Sequence, residues 1–280
     1  MKFSICNEIF QGWKLEDVFR SAKSIGYDAV EIAPFTLAES VEQISAEERA
    51  RIRESAKNAG IGISGIHWVL VKPDGLSING PDAAVRERTA GYFKELVDFC
   101  ADIGGRAIVV GSPKQRQILP GVTAAQAGEW TLETFRPAVA RAEERGVVIC
   151  LEPLGEAETN FINTAAQAVE LTEQLHSKAF QIILDVKAMY AEGRPLPQII
   201  RESRGKFAYF HANDRNLKGP GFGDVDFVPI FRALREVGYD GVVSVEVFKF
   251  EEGPQEIATR SLETLKKAWQ QANLYSLEWY

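Results

Sequence analysis

The sequence predicts a single-domain (β/α)8 TIM barrel over residues 1–280, and three observations lead to this fold class. The length is close to the ~250 residues that one such barrel typically needs. Short apolar runs of strand length occur eight times along the chain, and segments with helical periodicity lie between consecutive runs. A strand followed by a helix, repeated in this way, is typical of the barrel.

The eight apolar runs are the predicted strands. They are nearly continuous rather than alternating, which is typical of a parallel sheet covered on both faces. An open doubly wound sheet would also alternate strands with helices, but it normally has a glycine fingerprint after its first strand, and residues 6–13 (CNEIFQGW) have none. The predicted strands span about 3–6, 28–33, 61–67, 106–111, 147–152, 180–185, 206–211 and 241–246.

Glycines mark the ends of several predicted helices. The helical segments 15–26, 46–60, 85–104 and 132–146 each finish on a glycine, as the chemistry of helix C-caps favours. The longest irregular stretches, 68–82 and 212–227, both follow strands. We therefore expect both at the face of the barrel where active sites form.

Composition and charge exclude several classes of protein. The net charge of -7 leaves no positive excess to offset phosphate repulsion, so nucleic acid is not an expected partner. No segment approaches the roughly 18 apolar residues of a membrane span, and residues 1–13 lack the apolar core of a signal peptide. Cys6, Cys100 and Cys150 are odd in number and have no zinc-like spacing. We expect reduced, mostly buried thiols in a cytoplasmic protein.

Four ionisable residues close the last four predicted strands: Glu152, Asp185, His211 and Glu246. Each alone is compatible with an ordinary polar residue at a strand end. Together they favour a metal site, because strand ends converge over the barrel axis and three crowded carboxylates would repel one another without a cation. This oxygen-rich set with one nitrogen suits Mn2+, Mg2+ or Co2+, and Zn2+ is a less natural alternative.

Matching motifs along nearly the whole chain show a resemblance to a known family. They are ICNEIF, GYDAVEI with Glu31, SGIHW, LEPLG, FHANDRN followed by GPGFGDVDF, and SVEVF. In this order the chain resembles the xylose isomerase-like TIM-barrel superfamily of sugar and sugar phosphate isomerases and epimerases, especially its D-tagatose and D-psicose 3-epimerase branch.

The resemblance implies an activity and a division of roles. Glu152, Asp185, His211 and Glu246 would bind the divalent metal, with Mn2+ favoured, and Glu152 and Glu246 would also form the acid/base pair. The expected enzyme is a sugar isomerase or epimerase that acts on a ketose, or on its phosphate or acid derivative, through a cis-enediolate. Whether the proton returns to the same carbon or to its neighbour stays open.

Two departures from the 3-epimerase pattern bear on the substrate. Ala188 stands where the family has a histidine, and Leu217 stands where it has an arginine. Cationic residues near the expected site could replace them and suit a phosphate or carboxylate on the substrate. These are Lys114, Arg116, Lys187 and Arg215. A solvated loop is the alternative for Lys114 and Arg116, and an ion pair with a nearby carboxylate is the alternative for Lys187.

Further substrate contacts are expected from His67 and Trp68 at the end of the third strand, since a histidine can bond sugar hydroxyls and an indole can cover an apolar edge. Glu158 matches a family position at the substrate end. A packed core ring is the alternative for Trp68, and a surface position is the alternative for Glu158. Glu31 could either contact the substrate or hydrogen-bond a metal ligand.

Three other functions remain to be weighed. A metal-dependent dehydratase of a keto-sugar or inosose would share the proton abstraction. An endonuclease IV-type repair enzyme would need many histidines for three zinc ions, whereas this acidic chain has three histidines in all. A sugar-binding protein without metal is the third alternative.

The aromatic C-terminal segment, with Tyr275, Trp279 and Tyr280, is apolar enough to suggest docking on the barrel or a homo-oligomer.

Overall fold

The computed structural model describes residues 1–274 and shows a closed barrel of eight parallel strands in chain order, with β8 paired to β1. This confirms the predicted single-domain (β/α)8 TIM barrel. The strands are β1 Lys2–Cys6, β2 Ala29–Ile32, β3 Gly62–Ile66, β4 Ala107–Val110, β5 Val148–Leu151, β6 Phe180–Asp185, β7 Phe207–Ala212 and β8 Val242–Val245.

Helices follow the strands, and β6 is followed by two short ones. Glycines end α1 and α4 as expected, since Gly26 and Gly146 adopt left-handed φ values of 108° and 64°. The fourth helix begins earlier than predicted, because Thr123 and Gln126 form a capping box at its start. The helices are α1 Leu15–Ile25, α2 Ala46–Asn58, α3 Ala83–Asp102, α4 Ala124–Arg145, α5 Ala165–Glu173, α6 Val186–Ala191, α7 Leu196–Glu202, α8 Phe227–Glu236 and α9 Pro254–Leu274.

The apolar core has two layers. Between strands and helices, the rings of Phe93, Phe135 and Phe180 follow one another at centroid distances of 4.6 and 5.1 Å. Inside the barrel a smaller cluster includes Ile183 and Tyr209. The inner cluster fills the barrel below its mouth, so polar side chains at the strand ends rest on a packed floor. The three cysteines are buried and free, as the sequence predicts.

The strand ends place the candidate ligands at the C-terminal mouth. Strands β5 and β8 end at Leu151 and Val245, one residue before the two glutamates. The backbone N–H of Glu152 still donates to the Val110 carbonyl at 3.1 Å, and that of Glu246 donates to the Ala212 carbonyl at 3.3 Å. Both glutamates therefore continue the hydrogen-bond ladder, which fixes where their side chains leave the barrel.

Two further predictions from the sequence concern the C-terminal segment and membrane-spanning helices. Tyr275, Trp279 and Tyr280, on which docking or an oligomer was expected, lie outside the described residues. Among residues 1–274, none of the helices combines the length and the apolar character needed to cross a membrane.

Candidate metal centre and substrate pocket

The four predicted ligands meet at the mouth of the barrel. Each of Glu152, Asp185, His211 and Glu246 offers a ligand atom, and these atoms all lie within 4.8 Å of one another. All four residues are buried. Strand ends that are distant in sequence therefore form one compact cluster of three carboxylates and one imidazole.

Glu31, at the end of β2, orients His211. Both Glu31 carboxylate oxygens lie 3.1 Å from His211 Nε2, and the hydroxyl of Tyr209 donates to Oε2 at 3.1 Å. Burial alone would raise the pKa of Glu31, but the charges of His211 and His67 lower it to about 2. Glu31 is thus a carboxylate that holds a proton on Nε2, which leaves Nδ1 for the centre of the cluster.

Asn213 and the start of α6 orient Asp185. Asp185 caps α6 by accepting the Ala188 N–H at 2.8 Å on Oδ1, while the side-chain amide of Asn213 donates to Oδ2. The side-chain oxygen Oδ1 of Asn213 in turn accepts the backbone N–H of Lys187 at 2.8 Å. Both oxygens of the Asp185 carboxylate are therefore fixed by hydrogen bonds before any ligand binds.

The chemistry of the cluster fits a divalent cation. Nδ1 of His211 and Oε2 of Glu246 are buried 3.2 Å apart, and neither has a hydrogen-bond partner among the described residues. Burial, Glu246 and Asp185 raise the pKa of Glu152 to about 8, and burial and Glu246 also raise the pKa of Asp185. A cation would relieve this repulsion and satisfy both orphaned atoms.

Gly111, directly after β4, leaves the room that Glu152 occupies. A Cβ atom built at position 111 would overlap Oε2 of Glu152. Its backbone is not in the left-handed region. The glycine is therefore needed for the close approach of the carboxylate and not for a turn.

A pocket of about 410 Å3 opens over the cluster of three carboxylates and one histidine. Glu152 and Glu246 line its floor, and four of the predicted substrate residues line its walls. The indole N–H of Trp68 donates to Oε1 of Glu246 at 2.8 Å, so Trp68 fixes one of the two glutamates. The four wall residues are Trp68, Lys114, Glu158 and Lys187.

Lys187 and Glu158 form an ion pair inside this pocket. The ammonium of Lys187 lies 2.8 Å from Oε1 of Glu158 and 4.3 Å from the centroid of the Phe248 ring. Burial alone would lower the pKa of Lys187, but Asp185 and Glu158 raise it overall. The charge of Lys187 is therefore already balanced by a carboxylate in the loop after the neighbouring strand β5.

The structure revises the expected roles of three other residues. His67 is fully buried, with Nε2 2.9 Å from Glu8 and Nδ1 3.5 Å from Glu31, so it supports Glu31 from below. Arg215 is exposed and stacks on the ring of Tyr190 at 4.9 Å, away from the pocket lining. Both residues lie outside the pocket lining, so their positions do not support the substrate contacts that the sequence suggested.

Arg116 is the clearest of these corrections. Its side chain is fully buried, and its guanidinium donates to the backbone carbonyls of Glu152 and Val110 at 2.6 Å and also to that of Gly111. With both terminal nitrogens of its guanidinium directed at main-chain oxygens, it ties the end of β4 to the residue after β5. Its role is to support the loops that carry Gly111 and Glu152, and a substrate anion cannot reach it.

Some contributors to the site were not identified from the sequence. Gly111, Asn213 and Phe248 each lie within two residues of the end of a predicted strand. Their proximity to strand ends could have singled them out, but their partners across the barrel could not be known without the register. Glu31 was weighed between two roles, and its contacts with His211 support the hydrogen-bonding one.

A TIM barrel with a buried carboxylate and histidine cluster below an open pocket defines an enzyme-type barrel with a possible metal site. Residues 19–268 match the family described as Xylose isomerase-like TIM barrel, and the chain belongs to that family. This confirms the resemblance seen in the sequence.

Individual proteins that are similar to this chain are named as sugar epimerases. The chain is 27% identical to a D-psicose 3-epimerase of Agrobacterium fabrum over 80% of this chain and 76% of the relative. It is 26% identical to a 3-dehydro-D-guloside 4-epimerase of Escherichia coli over 88% and 92% of the two chains. A solved structure of an L-ribulose 3-epimerase superposes with a TM-score of 0.82 at 22% identity, covering 100% of this chain and 99% of that one, which supports the fold. The chain is an enzyme of the isomerase class.

Proposed function

We propose that this protein is a divalent-metal-dependent ketose 3-epimerase. The observation that carries the proposal is the position of Glu152 and Glu246, two carboxylates that belong to the metal-ligand cluster and also line the pocket floor. The names of the relatives, which are D-psicose, L-ribulose and ketose 3-epimerases, support the reaction type.

The metal would be held by Glu152, Asp185, His211 and Glu246, and the oxygen-rich donor set favours Mn2+ over Zn2+. When bound, it supplies Lewis-acid stabilisation of the negative charge that develops on the substrate oxygens. The rigid support of Asp185 by Asn213 and of His211 by Glu31 keeps these ligands in place.

Epimerisation then needs one carboxylate on each side of the substrate carbon. One of Glu152 and Glu246 removes the proton from C3, next to the C2 carbonyl, and the electron pair forms the enediolate. The other carboxylate delivers a proton to the opposite face of C3, and the carbonyl is restored. Trp68 holds Glu246 through its indole N–H, so this carboxylate cannot rotate away from the substrate.

The charges of the pocket favour a neutral sugar over a phosphate or acid derivative. Arg116 and Arg215 do not line the pocket, and Lys187 is paired with Glu158. Among the described residues that line the pocket, Lys114 is the one cation without a carboxylate partner, because Glu158 is paired with Lys187 and Asp74 with Lys72, while Glu152 and Glu246 would hold the metal. One unpaired lysine at the pocket wall offers little recognition for a phosphate or carboxylate, whereas a neutral polyol can donate hydroxyl protons to the carboxylates.

The proposal is tested by deuterium exchange. The Mn2+-loaded protein is incubated with D-fructose in D2O, and we expect deuterium at C3 together with formation of the C3 epimer. Treatment with EDTA should abolish both signals, and Mn2+ should restore them. Loss of water without epimer would show the alternative dehydratase reaction instead.

Matched variants test the roles of the two glutamates. Glu152→Gln and Glu246→Gln should each lower kcat by at least about 100-fold, since proton transfer by a placed side chain contributes 10²–10⁴-fold. Glu156→Gln changes an exposed carboxylate in the same loop as Glu152 and should retain wild-type rates. Full activity of Glu152→Gln or Glu246→Gln would contradict the proposed acid/base pair.

A further inference from the structure

A second cavity lies beside the central pocket and shares one wall with it. Its volume is about 790 Å3, and it is formed by the segments that follow β1 and β2 together with Trp68 and Phe250. Trp68 lines both spaces and lies between Phe35 and Phe248, with ring centroids 5.8 and 6.1 Å away. Among the described residues, Trp68 is the one that lines both spaces, and its indole N–H is bonded to Glu246.

Aromatic rings dominate the wall of this second cavity. Trp13 is 40% exposed, although it is a large apolar side chain. Its ring meets Phe10 edge-on at 5.4 Å, and its backbone N–H donates to the Phe10 carbonyl at 3.0 Å. An indole that is held in place and left open to solvent is an available stacking surface. Phe10, Phe35, Trp68 and Phe250 complete the aromatic lining.

The polar part of the lining has mixed charge. Glu16 and Lys14 carry opposite charges, and Gln11 and Thr36 add neutral hydrogen-bonding groups. Glu8 also contributes to the lining, but its carboxylate oxygens are buried and one lies 2.9 Å from Nε2 of His67. No positive excess is present to attract a phosphate or carboxylate. Aromatic faces combined with scattered polar groups suit a neutral ring that has an apolar face and hydroxyl groups at its edge.

We propose that the second cavity binds a non-reacting neutral group of the substrate, either a glycosyl or an aryl substituent, while the keto-sugar unit occupies the central pocket. This inference rests on the proposed ketose epimerase activity and extends it to substituted sugars. The substituent must be attached away from the carbonyl and from the carbon that loses its proton. Stacking of the substituent on Trp13 would then contribute binding energy to the substrate as a whole, while its reacting unit lies in the central pocket on the other side of Trp68.

The test compares two substrates that share the same reacting unit. D-fructose and 6-O-α-D-glucopyranosyl-D-fructose both open to a free C2 ketone, and deuterium uptake at C3 in D2O is measured for each with the Mn2+-loaded enzyme. We expect kcat/KM for the disaccharide to exceed that for D-fructose by about tenfold, the scale of one aromatic contact. Trp13→Ala should bring this ratio close to one.

Trp130→Ala is the matched control, because Trp130 lies on α4 under the guanidinium of Arg86 and lines neither cavity. It should keep the wild-type ratio. A wild-type enzyme that exchanges D-fructose but shows a ratio near one would overturn the second subsite and leave the proposed activity intact. The same holds if Trp13→Ala keeps the full preference for the disaccharide.

If neither sugar exchanges deuterium, the proposed activity fails, and the second cavity is tested by a binding measurement alone. In a calorimetric titration, phenyl β-D-glucoside should then bind to the wild-type protein, with an affinity that Trp13→Ala weakens about tenfold and Trp130→Ala leaves unchanged. Equal binding by wild type and Trp13→Ala would overturn the inference.

Discussion

Replacement of Glu31 by glutamine should weaken the binding of Mn2+ without unfolding the protein. Glu31 touches neither the pocket nor the metal-ligand atoms of the three carboxylates, but both its oxygens lie 3.1 Å from Nε2 of His211. The substitution keeps the shape of the side chain and removes its negative charge. It also places an amide N–H₂ group where the N–H of His211 and the O–H of Tyr209 now point.

The size of the effect follows from these contacts. A hydrogen bond to a charged group contributes about 1.5–3 kcal/mol, and about 1.4 kcal/mol corresponds to a tenfold change in affinity. Losing the charged acceptor of His211 should therefore raise the dissociation constant of Mn2+ by about 10–100-fold, the range found when partners of metal-binding histidines are replaced.

The assay is a titration of the metal-free protein with Mn2+, in which free Mn2+ is followed by electron paramagnetic resonance. Glu47→Gln, which alters an exposed carboxylate on α2, is the control and should bind as wild type does. At saturating Mn2+ the Glu31→Gln variant should recover most of its kcat, because it orients a ligand and does not touch the substrate. A dissociation constant within twofold of wild type would refute the reasoning.

Three further predictions follow from the same contacts. Gly111→Ala should lower kcat by at least about 100-fold with little change in Tm, since the new methyl group displaces Glu152; normal rates would contradict this. Arg116→Met should cost about 3 kcal/mol or more in urea unfolding because buried carbonyls lose their donor, whereas Lys114→Met at the pocket wall should stay within about 0.5 kcal/mol. Mn2+ at 100 times its dissociation constant should add about 2.7 kcal/mol and raise Tm by roughly 5–10 °C, and a Tm unaffected by EDTA would contradict a bound metal.

The fold and the ligand cluster could be predicted because both depend on local and repeating features. Eight apolar runs with intervening helices determine the barrel, and the closing residues of β5 to β8 must converge whatever the details of packing. Glu152 and Glu246 were expected as strand residues and lie one position beyond, yet the ladder continues to them, so their convergence was predicted correctly.

The surroundings of the cluster could not be predicted, because they depend on contacts between distant segments. Arg116 and Lys114 are two residues apart in a basic loop, and the sequence offers no means of telling which one faces the pocket. The chain turns at Ser112, which has a left-handed φ of 48°. After this turn the side chain of Arg116 is buried, whereas Lys114 lines the pocket. The same is true of His67, whose two carboxylate partners come from β2 and from the turn after β1.

Beneath the pocket, acids and bases alternate across the barrel from Glu8 through His67, Glu31 and His211 to Glu246. Burying one such charge alone would be costly, and the alternation makes each group the partner of the next. The consequence is that His211, the proposed metal ligand beside Glu246, is positioned by a series that begins at Glu8 in the lining of the second cavity. Residues in the segment after β1 therefore bear on the geometry of the four-residue cluster without touching its carboxylates, and substitutions along the series should not be additive.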